Sequence, residues 1–273
     1  MKPLPPHEGM KRGIYLLPSL FTTGNLFCAF FSVIKTLAGD YIVAAWIILL
    51  AGIFDALDGR IARLTRTESK FGIEYDSLVD LCTFGFAPAL LIYRWGMQDL
   101  GKLGLFAAFL YFACGALRLA RFNVQHDTVE NNYFQGLPIP IGAYVLSTYV
   151  IFYHEWKLFP PQASHLVAGM CIALSFLMVS TIGYRSMKSY HFKDRQSFFV
   201  LLMVVMLLFV IATVPEISLF VVSVAYVASG LLEEMLTRRK SKAFVEKVKE
   251  HRRKKHENKF EKNHNSEQPP FLQ

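Results

Sequence analysis

The chain has 273 residues, 53% of them hydrophobic and only 18% charged, with 24 Phe and a mean hydropathy of +0.33. A water-soluble domain of this length carries about 25% charged residues, so composition excludes an ordinary soluble globular protein. The net charge of +8 lies largely in residues 238–262, and nucleic-acid binding is a poor fit for a basic tail tethered to a membrane.

Residues 1–14 form a polar lead with Pro3, Pro5 and Pro6, suited to the membrane interface. A bilayer core is crossed by roughly 20 apolar residues in a helix. Apolar runs at 15–37, 41–54, 77–93, 103–120, 139–153, 165–183, 198–214 and 217–232 predict eight spans. The first run is too long for the apolar region of a secretion signal and has no small-residue cleavage site, so a retained helix is expected. The break at Pro215-Glu216 divides what is otherwise too long for one ordinary span. Residues 237–273 form a charged tail in which basic clusters alternate with Glu246, Glu250, Glu257 and Glu261. With both termini inside, 25 of the 29 Lys and Arg fall on the inner side, which orients the bundle with its termini in the cytoplasm. Cys28, Cys82, Cys114 and Cys171 each lie within an apolar run and far apart in sequence, so neither disulfide nor metal role is expected.

The second and third runs meet at an acidic motif, D-x2-D-G-x2-A-R-x8-G-x3-D-x3-D, made by Asp55, Asp58, Gly59, Ala62, Arg63, Gly72, Asp76 and Asp80. Carboxylates at a membrane are costly and mark function. Asp55 and Asp58 are spaced i, i+3, and Asp76 and Asp80 i, i+4, so each pair projects from one helical face. If the two helices are antiparallel neighbours, four oxygen ligands converge. Such a donor set, without His or Cys, favours Mg2+ or Mn2+ over Zn2+, and two such ions clamp a phosphoryl group. Gly59, Ala62 and Gly72 leave the helix surfaces open to close approach of a ligand. Arg63 offers a bidentate fork for phosphate. Simple interface anchoring explains one Asp near one Arg, not four Asp at helical spacing with two Gly and an Ala between them.

The motif resembles, at all eight positions, the signature of the CDP-alcohol phosphatidyltransferases, membrane enzymes that move a phosphatidyl group from a CDP-activated lipid to an alcohol. Other stretches resemble the membrane-embedded serine-using branch. They are Pro18-Ser19-Leu20-Phe21-Thr22-Thr23-Gly24-Asn25, Thr83-Phe84-Gly85-Phe86-Ala87-Pro88-Ala89, Gly115 through Asn123, Phe134 through Pro140, and Val179-Ser180 with Tyr184 through Lys188. The resemblance spans residues 11–235 and leaves out the tail. It implies that Asp55, Asp58 and Asp76 bind metal, and that Asp80 is the general base and also touches metal. It implies that Gly59, Ala62 and Gly72 line the cytidine nucleotide and that Arg63 holds the diphosphate. The substrates implied are CDP-diacylglycerol and L-serine, the products phosphatidylserine and CMP, and the assembly a homodimer in the inner membrane with its site facing the cytoplasm.

The expected fold is an all-helical membrane bundle: a six-helix catalytic core over residues 15–190, an added hairpin over 191–236 and a basic cytoplasmic tail over 237–273. Serine needs a cation for its carboxylate, and Arg118, Arg121, Arg185 and Lys188, near cytoplasmic span ends, are the candidates. Arg118 and Arg121 share one helix face, whereas the plainer reading of all four is the positive-inside pattern with snorkelling side chains. Asn25 and Asn123 either complete this pocket or bond backbone. Three rivals remain. Another acceptor, glycerol phosphate or inositol phosphate, calls for more clustered positive charge. A transporter calls for carboxylates near the midplane on broken helices. A lipid-binding scaffold driven by the tail loses its property when residues 237–273 are deleted.

Overall fold

The computed structural model describes residues 8–65, 70–126, 133–156, 164–185 and 212–235, with isolated positions between 202 and 209. The described residues are helical, with one short two-stranded ribbon among them. It divides into two compact units, Met1–Ala228 and Ser229–Gln273, and in the second the described residues are 229–235, all helical.

In the first unit, α1 (Glu8–Leu37) and α2 (Tyr41–Thr65) form an antiparallel pair joined by a turn at Gly39. Their seam is built of small residues. Ala44, Ala45 and Ala51 are fully buried, and Ser32 donates its hydroxyl to the Ala44 carbonyl at 3.0 Å. Small residues let helix backbones approach closely where no hydrophobic force separates helix from lipid. The apolar run ends at Phe54, but α2 continues through the acidic motif to Thr65. Ala56, Leu57, Ala62 and Leu64 are strong helix formers, and the single Gly59 does not stop them.

α3 (Lys70–Asp80), a π-helical turn (Leu81–Phe86) and α4 (Ala87–Gly96) follow one another as one apolar span, Phe71–Gly96. The widened turn is closed by the Ala87 N–H donating to the Cys82 carbonyl. Pro88, in the first turn of α4, has no N–H to give the Phe84 carbonyl four residues back. That carbonyl accepts instead from the buried Tyr111 hydroxyl at 3.1 Å. Tyr111 belongs to α5 (Lys102–His126), which packs beside α7 (Ser164–Val179). α6 (Ile139–Trp156) lies against α2 and α4, and its residues from Gly142 to Ile151 are largely buried.

A ribbon pairs β1 (Tyr133–Gln135) with β2 (Gly183–Arg185) antiparallel, Tyr133 opposite Arg185. Gly136 leaves β1 with φ of 82°, a left-handed conformation that favours glycine, and its N–H reaches the Ile182 carbonyl at 2.9 Å. A Cβ at Gly136 would overlap the Met178 carbonyl oxygen. Two of the stretches singled out in the sequence, 134–140 and 184–188, are thus brought side by side as far as they are described.

Five helices among the described residues are long and apolar enough to cross a membrane: Ser19–Leu37, Tyr41–Ile61, Phe71–Gly96, Lys102–Val124 and Pro215–Met235. α7 is a shorter apolar helix, and α6 is shielded inside the bundle. The expected span at 198–214 falls mostly outside the described residues. Large apolar side chains such as Phe27, Phe30, Ile53, Phe106 and Phe109 face outward, as they do in an integral membrane protein where lipid is the solvent. The last helix among the described residues, α8 (Pro215–Met235), stacks Phe220 on Phe152 at 5.1 Å and against Tyr149 at 5.8 Å.

Candidate active site

The acidic motif closes on itself in space. α2 presents Asp55 and Asp58, and α3 presents Asp76 and, at its last residue, Asp80. Carboxylate oxygens of Asp55, Asp76 and Asp80 all lie within 4.8 Å of one another. Asp55 and Asp80 share a hydrogen bond. Asp58 lies within electrostatic range of Asp55 and Asp76 and is 4% exposed. The Thr22 hydroxyl of α1 and the backbone N–H of Gly59 both donate to Asp58. Beside them, Thr23 and Tyr75 share a hydrogen bond of 3.1 Å, joining α1 to α3.

Four carboxylates crowded in a poorly solvated place repel one another. Buried oxygens of Asp58 (Oδ2), Asp76 (Oδ1) and Asp80 (Oδ1) have no hydrogen-bond partner within the protein. A buried acceptor without a donor costs about 1–3 kcal/mol, more when charged. Positive charge relieves both penalties at once, and an all-oxygen donor set suits a hard divalent cation. The residues present therefore fit such an ion.

The remaining expected site residues are placed as follows. Gly59 lies between Asp58 and the last turns of α2, and Gly72 one turn before Asp76 on α3. Ala62 and Arg63 are in the final turns of α2, but their side chains lie outside the described residues. Arg118 is buried on α5 and within electrostatic range of Asp80 and of Tyr226 on α8. Its neighbour one turn on, Arg121, donates from Nη1 to the Val179 carbonyl at 3.0 Å, holding the end of α7. Asn123 exchanges hydrogen bonds with Ser77 of α3 at 3.1 and 3.2 Å. Arg185 forms part of β2, its side chain undescribed, and Lys188 lies outside the described residues. Asn25 is fully buried and neither side-chain polar atom finds a partner.

Residues 15–181 match the CDP-alcohol phosphatidyltransferase family. The chain belongs to that family. Among curated relatives, a CDP-diacylglycerol–serine O-phosphatidyltransferase of Helicobacter pylori (strain J99) is 35% identical over 76% of this chain and 86% of its own. One of the same description from Bacillus subtilis (strain 168) is 33% identical over 66% of this chain and 96% of its own. An archaetidylserine synthase of Methanothermobacter thermautotrophicus is 38% identical over 62% of this chain and 69% of its own.

In this phosphatidyltransferase, sequence reasoning did not single out Thr22 and Tyr144 beside the carboxylates, or Tyr226 beside Arg118. Thr22 had a signal, since Thr22-Thr23-Gly24-Asn25 is a polar island in an apolar helix. Tyr226 and Tyr144 had none, because a lone Tyr in an apolar run reads as packing or as an interface residue. Only the fold brings Tyr226 to Arg118, and Tyr144 to the Asp55–Asp80 pair.

Proposed function

We propose that the chain transfers the phosphatidyl group of CDP-diacylglycerol to L-serine, giving phosphatidylserine and CMP. The observation that carries this reading is the meeting of Asp55, Asp76 and Asp80 within 4.8 Å at the start of the π-helical turn, in a chain of this family. The curated relatives' names favour serine as acceptor.

Asp55, Asp58, Asp76 and Asp80 would hold Mg2+ or Mn2+, as one or two ions. Bound there, the metal supplies neutralisation of the diphosphate and of the departing CMP. The chain's own residues do the rest. Gly59, Ala62 and Gly72 leave room for the cytidine nucleotide against the α2 and α3 backbones, and Arg63 takes the diphosphate. Asp80 accepts the proton of the serine hydroxyl. The serine oxygen then bonds to the phosphorus that bears diacylglycerol, and the bond from that phosphorus to CMP breaks. A carboxylate is a weak base for an alcohol, so orientation and electrostatics supply most of the acceleration. Arg118, buried and facing Asp80, receives the serine carboxylate and so sets the hydroxyl beside its base. Arg121 is already engaged with Val179, which leaves Arg118 the stronger acceptor residue of the pair. Arg185 and Lys188 are further candidates for the serine carboxylate. The site faces the cytoplasm of a cell with an inner membrane, the chain pairs as a homodimer, residues 15–190 carry the chemistry and 237–273 is a separable tail.

The test is CMP release by purified protein given CDP-diacylglycerol and Mn2+ or Mg2+, with serine, glycerol 3-phosphate or inositol phosphate in turn. Release with serine alone, abolished by chelator, is expected. Release with either phosphate instead overturns the acceptor and keeps the chemistry. Release with none, from folded protein, overturns the reading.

A further inference from the structure

The groups assigned to the carboxylate site come from α1, α2, α3 and α5, and one further group reaches it from α6. Tyr144 projects from α6 so that its hydroxyl lies against the α2 backbone at Gly52. The contact is so close that a Cβ at Gly52 would overlap the hydroxyl oxygen. Gly52 precedes Asp55 by one helical turn on the same face, which puts the phenol directly beneath that carboxylate. The Tyr144 ring stands edge-on to Phe84 of the π-helical turn, with centroids 6.0 Å apart. Phe84 is itself one turn beyond Asp80. Gly52 and Phe84 thus fix the phenol from two sides, and it faces both Asp55 and Asp80 electrostatically.

Asp80 Oδ1 is buried and has no hydrogen-bond donor within the protein. The Tyr144 hydroxyl is a neutral donor within electrostatic range of Asp80 and Asp55. Ring packing against Gly52 explains the missing side chain there, because the ring carbons would also crowd a Cβ, but it does not call for a hydroxyl at the ring's end.

We infer that Tyr144 is a positioning residue of the transfer reaction, its hydroxyl donating to the Asp55–Asp80 pair and fixing those carboxylates in the geometry that binds metal and accepts the serine proton. This rests on the function proposed above. Tyr144→Phe removes the hydroxyl and leaves the ring. A hydrogen bond to a charged group is worth about tenfold to hundredfold in rate. The expected result is a fall of that size in kcat with KM for serine and CDP-diacylglycerol within about twofold. Mn2+ titration of the substrate-free protein, followed by electron paramagnetic resonance of the unbound ion, reads the carboxylates without turnover. It should show weaker Mn2+ binding in Tyr144→Phe. Gly52→Ala, which displaces the hydroxyl, should reproduce both effects and add little to Tyr144→Phe in the double variant. Wild-type kcat and Mn2+ affinity in Tyr144→Phe overturn the inference. So does loss of activity that tracks loss of thermal stability while Gly52→Ala behaves as wild type, because the ring then serves packing alone. Failure of the wild type itself to release CMP with any acceptor sinks the parent reading instead, so the two failures are told apart.

Discussion

Replacing Asp80 with Asn should make the protein more stable in chelator and inactive in metal. At 4.8 Å and an effective dielectric of about 20, each ionised pair among Asp55, Asp76 and Asp80 repels by about 3 kcal/mol. Asp80 belongs to two of the three pairs. The hydrogen bond it shares with Asp55 accommodates a proton and removes most of one repulsion. The Asp76–Asp80 pair then remains, so the amide relieves up to about 3 kcal/mol by the same arithmetic. For a domain of this size each kcal/mol moves Tm by about 2–4 °C, so a rise of several degrees is expected in EDTA. The assay is thermal unfolding of detergent-purified protein in EDTA and again in Mn2+, beside CMP release. Wild type should gain more Tm from Mn2+ than the variant does, because it has more charge to neutralise. Turnover should vanish in Asp80→Asn while nucleotide binding persists. A variant that melts below wild type in EDTA would show that the carboxylates are not held against mutual repulsion. Wild-type turnover would remove Asp80 from the chemistry.

Other expected outcomes are simpler. Thr22→Val takes a donor from Asp58 and should lower kcat/KM about tenfold, as measured by CMP release at limiting CDP-diacylglycerol. Arg118→Ala should raise the serine KM by tenfold or more, whereas Arg121→Ala should leave it near wild type and lower Tm, because its bond to Val179 ties α5 to α7. Equal effects on serine KM would dismiss that division of roles. Gly136→Ala places a side chain in a left-handed turn against the Met178 carbonyl, so Tm should fall by an amount equivalent to at least about 1–2 kcal/mol. Deleting residues 237–273 should leave turnover intact, since every group assigned to the site precedes the tail.

Much of this site is legible in the sequence because its chemistry is local. Asp55 with Asp58, and Asp76 with Asp80, are each one helical turn apart, so spacing alone sets their common face. Meeting across the two helices follows because α1 packs against both α2 and α3 and so brings their carboxylates together. What spacing does not carry is anything contributed from afar. Tyr144 is 89 residues beyond Asp55 in an apolar helix, and no period in the sequence ties it to Gly52. The helix boundaries shift for a related reason. The apolar run ends at Phe54, but backbone hydrogen bonding does not depend on side-chain polarity, and α2 continues to Thr65. The ribbon of Tyr133–Gln135 with Gly183–Arg185 was equally hidden, since three residues are too few to show alternation.

The π-helical turn joins these distant contributions. It begins immediately after Asp80, and Pro88 leaves the Phe84 carbonyl without its helical donor, which Tyr111 of α5 replaces. The same residue turns its ring to the edge of Tyr144 on α6. One widened turn thereby couples the carboxyl end of α3 to α5, which carries Arg118, and to α6, which carries the phenol. A regular helix through 81–86 would rotate every later residue relative to Asp80 and would return the Phe84 carbonyl to a backbone donor only if Pro88 were absent. Irregular backbone of this kind is tolerated at membrane depth where protein, not lipid, meets the freed groups. The full burial of Phe84 and Tyr111 meets that condition, so the distortion beside Asp80 is held by packing and by one named hydrogen bond rather than left to fluctuate.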